Sequence, residues 1–240
     1  MRSQQIGTFY GIGVGPGDPE LLTIKAHRLI RSLPILFVPV ARSGAPSYAR
    51  TIVDAYLDPN RQQIVELVFA MRGDDERMAA QWRVNARSIA DELAAGRDAG
   101  FLTEGDPLLY STFVHLAGAL GEIRPDAPVV VIPGISSLQA AAAAVRVPLA
   151  DRDERLAILP ANYDSAELRT VLATFDTVVL LKVASVIDCV LDLLEELDLT
   201  DRSVFVSRVG RPEEVRVRDV RSLRGQKLDY FSLLIVRRPQ

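Results

Sequence analysis

Cysteine, lysine, histidine and tryptophan are all scarce in this 240-residue sequence, and each scarcity removes a class of protein. Cys189 is the single cysteine, which excludes an internal disulfide and a cysteine-built metal centre. It lies in the amphipathic pattern running from Ser185 to Leu197, on the side that reads as apolar, where a buried structural thiol is expected. The net charge is −3, so no general nucleic-acid-binding surface is expected; Lys25, Lys182 and Lys227 are the only lysines, and the other basic residues are arginines, whose planar fork leaves an anionic small ligand possible. No apolar run approaches the ~18 residues of a membrane span. The alanine run from Ala140 to Ala144 is short and is broken by Arg146 and Pro148. Residues Met1 to Gly7 hold no apolar run before the first strand, so no secretion signal is expected and the chain reads as soluble and cytoplasmic. No metal site is expected.

Glycine is present where it matters. Gly11, Gly13, Gly15 and Gly17 follow a short apolar segment and end at Asp18-Pro19, a helix-start signal in which Asp18 caps and Pro19 occupies the first turn. Leu22, Ala26, Leu29, Ile30 and Leu33 then fall on one helical face. Strand, glycine loop and helix in that order let a backbone approach a ligand closely. A tight turn without a ligand satisfies the same residues. A nicotinamide fingerprint does not fit: Pro16 stands at the third glycine position, and residues 21 to 53 contain no acid to hold a ribose. A phosphate-binding P-loop fails too, because no Gly-Lys-Ser/Thr follows.

Hydrophobic residues make up 48% of the chain, enough for one large or two small cores. Continuous apolar strand candidates occur at 8–10, 35–38, 100–103, 129–132, 156–159, 178–181 and 204–207. Helical stretches separate them, such as Met78 to Ala95 with Trp82, Ala86, Ile89 and Leu93 on one stripe. Strands that are apolar throughout predict a parallel sheet covered on both faces, hence an α/β protein. After Val204 the helical pattern stops, and Val215 to Val217 with Tyr230 to Val236 predict an antiparallel hairpin region closing a second sheet. Gly118, Gly121, Pro125 and Pro128 interrupt the pattern, so two α/β domains, 1–120 and 121–240, with a cleft between them are expected.

Three further segments point to that cleft. Phe101 to Thr103 runs directly into Glu104-Gly105-Asp106-Pro107, a loop at a strand's carboxyl end, where open α/β sheets bind ligands. Asp106 there can accept from a hydroxyl or ammonium group, although Gly-Asp-Pro is also an ordinary turn. Val131 to Ala144 repeats the design, with Pro133-Gly134 and a helix that Ser136 or Ser137 caps. Lys182 ends an otherwise apolar strand, either snorkelling to solvent or contacting ligand. His27 and His115 both sit in helical patterns.

Taken together, the glycine loop with Asp18-Pro19-Glu20-Leu21-Leu22-Thr23, the Glu104–Pro107 loop and Pro133-Gly134-Ile135-Ser136-Ser137 resemble the tetrapyrrole (corrin/porphyrin) methyltransferase family over residues 7 to 238. The resemblance implies the two-domain tetrapyrrole methylase fold, S-adenosyl-L-methionine in the cleft, a tetrapyrrole substrate and a homodimer. Within the family, Phe101 to Thr112, Val38-Pro39-Val40 and the ending Tyr230 to Val236 are most similar to the branch that methylates C20 of precorrin-2 to give precorrin-3A, with C20 methylation of cobalt-factor II or another tetrapyrrole methylation as the alternative. By the same resemblance Pro16, Glu104, Gly105, Asp106, Ser111, Thr112, Ser136, Ser137, Lys182, Val209 and Gly210 would contact the cofactor. Gly13 and Gly15 would border the macrocycle, and Arg42, Arg50 and Arg72 are candidates for its carboxylates. Two segments depart from the family pattern: Pro34 at a strand start, and the charged run Asp151-Arg152-Asp153-Glu154. A nicotinamide-dependent oxidoreductase and a non-catalytic nucleotide-binding module remain the competing classes. Methylation of a protein or of ribosomal RNA is the alternative within the family.

Overall fold

A computed structural model describes residues 5–69 and 75–238, which form two compact units that divide between Ser136 and Ser137. The first unit is built on five strands: β1 (Phe9–Gly13), β2 (Ile35–Val40), β3 (Gln63–Val68), β4 (Ala99–Thr103) and β5 (Val129–Ile132). They pair in the order β3-β2-β4-β1-β5, and every pairing is parallel. Both faces are covered, as the continuous apolar runs require. On one side α1 (Ile24–Ser32) and α2 (Tyr48–Val53) bury Ala26, Ile30, Ala49, Ile52 and Val53 against Ile12, Leu36 and Leu102. On the other, α3 (Asp75–Ala94) and α4 (Phe113–Ile123) bury Ala86, Ile89, Leu93, Phe113 and Leu116 against Phe9, Phe37 and Phe101.

Two local readings change. Asp18 does cap, accepting from the Glu20 amide at 2.8 Å, but it starts only a single 3-10 turn, Pro19–Leu21. Leu22 then turns extended, and Thr23 caps α1 by accepting from Ala26 N–H at 3.2 Å. The second is β3, which the continuous-apolar criterion passed over. As an edge strand it is largely half-buried or exposed, with Glu66 in its middle, so it carries no continuous apolar run.

The second unit opens with α5 (Ser137–Val145) and continues with β6 (Leu156–Pro160), α6 (Ser165–Thr174), β7 (Thr177–Leu181), α7 (Ile187–Glu196), β8 (Ser203–Ser207), β9 (Val215–Val217) and β10 (Ser232–Arg237). Its sheet runs β6-β7-β10-β8-β9. Strand β9 pairs antiparallel with β8 as expected, but β10 does not close an edge. It inserts between β7 and β8, antiparallel to both, because Leu233, Leu234, Ile235 and Val236 are all buried and need cover on two faces. The break between units comes later than the expected one after residue 120. β5 pairs with β1 and so belongs to the first sheet, whereas α5 groups with the second.

Cys189 is exposed, contrary to expectation. The buried face of α7 runs through Ile187, Val190, Leu191 and Leu194, a spacing that turns Cys189 toward solvent.

Candidate functional site

Chain order in the first sheet creates a crevice. From β1 the chain leaves over one face, through α1, toward β2; from β4 it leaves over the other face, through α4, toward β5. β1 and β4 are neighbours, so their connections diverge at their carboxyl ends. That is the topological switch point where open α/β sheets take ligands. The loops at 14–18, 104–112 and 133–136 all begin there.

These loops are laced together by backbone. Gly15 and Gly105 exchange hydrogen bonds, Gly105 N–H to Gly15 O at 2.8 Å and the return at 3.4 Å. Both need the left-handed region, with φ of 78° and 62°. Gly13 meets Gly105 and Gly134 so closely that a Cβ on it would lie 2.6 Å from Gly105 O and 2.7 Å from Gly134 N. Asp106 completes the lacing, since Oδ2 accepts from Gly134 N–H at 3.0 Å and Oδ1 from Leu108 N–H at 2.9 Å. Each of its oxygens therefore already holds an amide, and the carboxylate joins two of the loops. Gly11 has another cause: a Cβ there would overlap the Phe113 ring at 2.3 Å, so it is a packing glycine.

Thr103, Ser111 and α4 form the next layer. The hydroxyls of Thr103 and Ser111 are 2.8 Å apart, and Ser111 Oγ also accepts from Phe113 N–H at 3.1 Å. Ser111 thus caps α4 with its side chain, while Thr112, at the cap position, makes no side-chain cap bond. Thr103 was missed in the sequence because it reads as the last residue of a strand; nothing marks a strand-end hydroxyl until the loop folds back on it. Tyr110 between them is half-exposed with a left-handed φ of 51°. Pro16 and Glu104 are half-buried beside the glycine contacts. Ser136 is buried, and Ser137 opens α5.

Lys182, Val209 and Gly210 lie in the second unit, at the carboxyl ends of β7 and β8. Lys182 is exposed with a left-handed φ of 58°, its N–H bonded to Ser232 O at 3.1 Å. Val209 is buried, and Gly210, with φ of 76°, donates to Glu214 Oε2 at 2.7 Å. The neighbouring Arg208 pairs with Asp229 at 2.7 Å. Burial opposes ionisation of Asp229, yet the Phe231 amide and the Arg208 guanidinium outweigh it and hold the carboxyl below its ordinary range.

The arginine candidates separate. Arg42 is exposed in the loop after β2. Arg50 is engaged along α2 with Asp54 at 3.4 Å. Arg72 lies outside the described residues. His115 stacks on Trp82 of α3 at 4.2 Å, and His27 meets the edge of Tyr56 at 4.7 Å, so both rings are in aromatic contacts. Among the described residues no group of three or more His, Cys, Asp or Glu could hold a metal ion, and no helix is long and apolar enough to cross a membrane.

Fold and site define a class. The family model of the tetrapyrrole (corrin/porphyrin) methylases matches residues 8–223, and the chain belongs to that family. It is 32% identical to the cobalt-precorrin-2 C(20)-methyltransferase of Salmonella typhimurium, covering 96% of each chain. It is 31% identical to the precorrin-2 C(20)-methyltransferase of a Sinorhizobium species, covering 98% of this chain and 97% of that one. Among solved structures, the uroporphyrin-III C-methyltransferase of Thermus thermophilus in complex with S-adenosyl homocysteine superposes with a TM-score of 0.66 at 25% identity, covering 96% of this chain and 97% of that one. A cobalt precorrin-4 methyltransferase shares the fold, with a TM-score of 0.70 at 19% identity over 95% of this chain and 94% of that one.

Proposed function

We propose that this chain transfers a methyl group from S-adenosyl-L-methionine to C20 of precorrin-2 or its cobalt complex, giving the trimethylated macrocycle (precorrin-3A in the metal-free case). The observation that carries the reading is the laced rim at the β1/β4 switch point, where Gly13 and Gly134 pack backbone to backbone with each other and with Gly105 and leave no room for a Cβ. Three loops fixed to one another at a switch point form the kind of rim where open α/β sheets take ligands. The names of the similar curated proteins support the choice of C20.

The methyl donor supplies an already activated sulfonium carbon. What remains for the protein is alignment and exclusion of water: the S–CH3 bond breaks as the C–CH3 bond forms, the positive charge passes from sulfur to the macrocycle, and the macrocycle sheds it as a proton to solvent. In this reading the backbone at Gly105, Ser136 and Val209-Gly210 holds the donor, with Pro16, Glu104, Ser111, Thr112, Ser137 and Lys182 around it. Asp106 serves by holding the loops at 104–107 and 133–136 together. The reduced macrocycle's meso carbon is itself electron-rich, so no strong general base is required to form the carbon–carbon bond, and both histidines are engaged with aromatic rings. In this reading Arg42, Arg50 and Arg72 are the candidates to bind the macrocycle's carboxylates. A cytoplasmic homodimer completes the reading; it is supported by the family resemblance and checked by sedimentation.

The test is incubation of the purified protein with S-adenosyl-L-methionine and precorrin-2, with cobalt-precorrin-2 in parallel, read by mass and absorbance. Gain of one methyl group on either macrocycle is expected, and the faster reaction identifies the natural substrate. No gain on either, while a control C20-methyltransferase turns over, overturns the proposal.

A further inference from the structure

The charged run Asp151 to Glu154, which departs from the family pattern, finds its role at the far end of α5. That helix ends at Val145, and Arg146 takes a left-handed φ of 57°. The amides of Arg146 and Val147 return to the carbonyls of Ala143 at 3.2 Å and Ala142 at 3.0 Å, the Schellman pattern of a helix end. Two of the last four carbonyls, those of Ala144 and Val145, then still need donors. Arg216 Nη1 donates to Ala144 O at 2.7 Å, and Arg218 Nη2 donates to Val145 O at 2.9 Å. A third guanidinium, Arg237 at the end of β10, donates to Pro148 O at 2.5 Å and grips both oxygens of Glu154 at 2.7 and 2.9 Å. Glu154 in turn accepts from Asp151 N–H at 2.8 Å. The charged run is thus the anchor of the segment that follows α5.

Water would satisfy exposed carbonyls at a helix end without help. Here charged donors come instead from Arg216 in β9 and Arg218 just after it, more than 70 residues away in sequence, and approach the negative end of the helix, while Arg237 of β10 holds the segment beyond it. Bonds from fixed guanidinium forks define a position along the helix axis, which apolar contact between a helix and a sheet does not. A helix is stiff along its axis at about 1.5 Å per residue, so fixing its carboxyl end fixes its amino end. The amino end of α5 is Ser137, directly after Ser136.

We propose that Arg216, Arg218 and Arg237 are positioning residues for methyl transfer. Arg216 and Arg218 clamp the carboxyl end of α5 and Arg237 holds the segment that follows it, and together they set the axial position at which Ser136 and Ser137 meet the methyl donor. The inference rests on the proposed donor contacts of those serines. It is tested by titrating S-adenosyl homocysteine calorimetrically into the wild type, the Arg216→Met/Arg218→Met double variant and the Arg216→Lys/Arg218→Lys double variant, with melting temperatures taken alongside. The methionine variant should bind about three- to tenfold more weakly, and the lysine variant, which keeps one donor per site, within about twofold of wild type. In turnover the same split should appear in KM for the donor, with kcat nearly unchanged. Wild-type affinity in a methionine variant that has lost thermal stability overturns the proposal, because the arginines would then serve the fold alone. Should that variant not fold, the single Arg218→Gln variant decides by the same two readings. Failure of the wild type itself to bind overturns the methyltransferase reading instead.

Discussion

Adding one methyl group at Gly134 should damage the rim more than any exposed glycine substitution in the chain. A Cβ built there would lie 2.1 Å from Gly105 O, 2.8 Å from Gly13 Cα and 2.9 Å from the Gly13 carbonyl carbon. All three neighbours are backbone, so no side chain can rotate away. Gly105 is further held by its exchange of hydrogen bonds with Gly15, and Gly134 by Asp106. Relief therefore requires separating loops that are bonded to one another. Overpacking of this kind costs about 1–3 kcal/mol, and fixed backbone on every side places Gly134→Ala at about 3. For a chain of this size 1 kcal/mol moves the melting temperature by about 2–4 °C, so a fall of about 6–12 °C is expected. Gly118→Ala is the control. It lies exposed in α4 with nothing within 4 Å of its added Cβ, and should gain about 0.5–1 kcal/mol from helix propensity. Thermal unfolding followed by circular dichroism measures both. If Gly134→Ala melts within about 2 °C of wild type, the three loops are not packed backbone to backbone, and the reasoning for the site falls with them.

Three other outcomes follow from the same geometry. Asp106→Ala removes the acceptor for Gly134 and Leu108 amides at once and should cost about 1–3 kcal/mol in denaturant titration with loss of donor affinity, whereas Asp106→Asn keeps one acceptor and should lose less. Arg50→Ala should leave stability within about 0.5 kcal/mol, since an exposed i,i+4 pair contributes little; a raised KM for the macrocycle, with the donor KM unchanged, would then identify Arg50 as a carboxylate contact. Asp176 and Asp201 are held below the ordinary aspartate value, Asp176 first by the Arg155 amide and Asp201 first by the Arg221 side chain. With Asp229, they contribute stability that is complete above that ordinary value and lost as pH falls through the depressed native values; Asp126 in the first unit is held down in the same way by the Arg124 side chain, so both units should lose stability in acid, as amide hydrogen exchange at low pH can resolve.

Much of the candidate site's loop framework was legible because its parts are local. Gly13, Gly15, Gly105, Asp106, Ser136 and Ser137 lie directly after apolar runs, and a strand followed by glycine and a cap is recognisable within ten residues. The interior strands were legible for the same reason, their apolar runs being continuous. The rest needed partners distant in sequence. An edge strand such as β3 carries no burial signature until a neighbour is known, and β10 looks like the end of a hairpin until β7 and β8 leave a place between them. The role of Asp106 was equally hidden, because a carboxylate in a Gly-Asp-Pro turn reads as free to meet a ligand until Gly134 is seen to occupy it.

By itself, then, the sequence determined an α/β chain of two domains, its loop-borne glycines, and a family through the order and spacing of three short segments. Each of these depends on residues within a turn or two of one another. Tertiary structure alone decided that Gly11 serves the Phe113 ring while Gly13 serves the rim, that Arg216 and Arg218 complete the end of α5, and that Arg237 holds the segment after it. Those outcomes depend on contacts between segments tens of residues apart. Periodicity says which face of an element is buried; only the fold says against what.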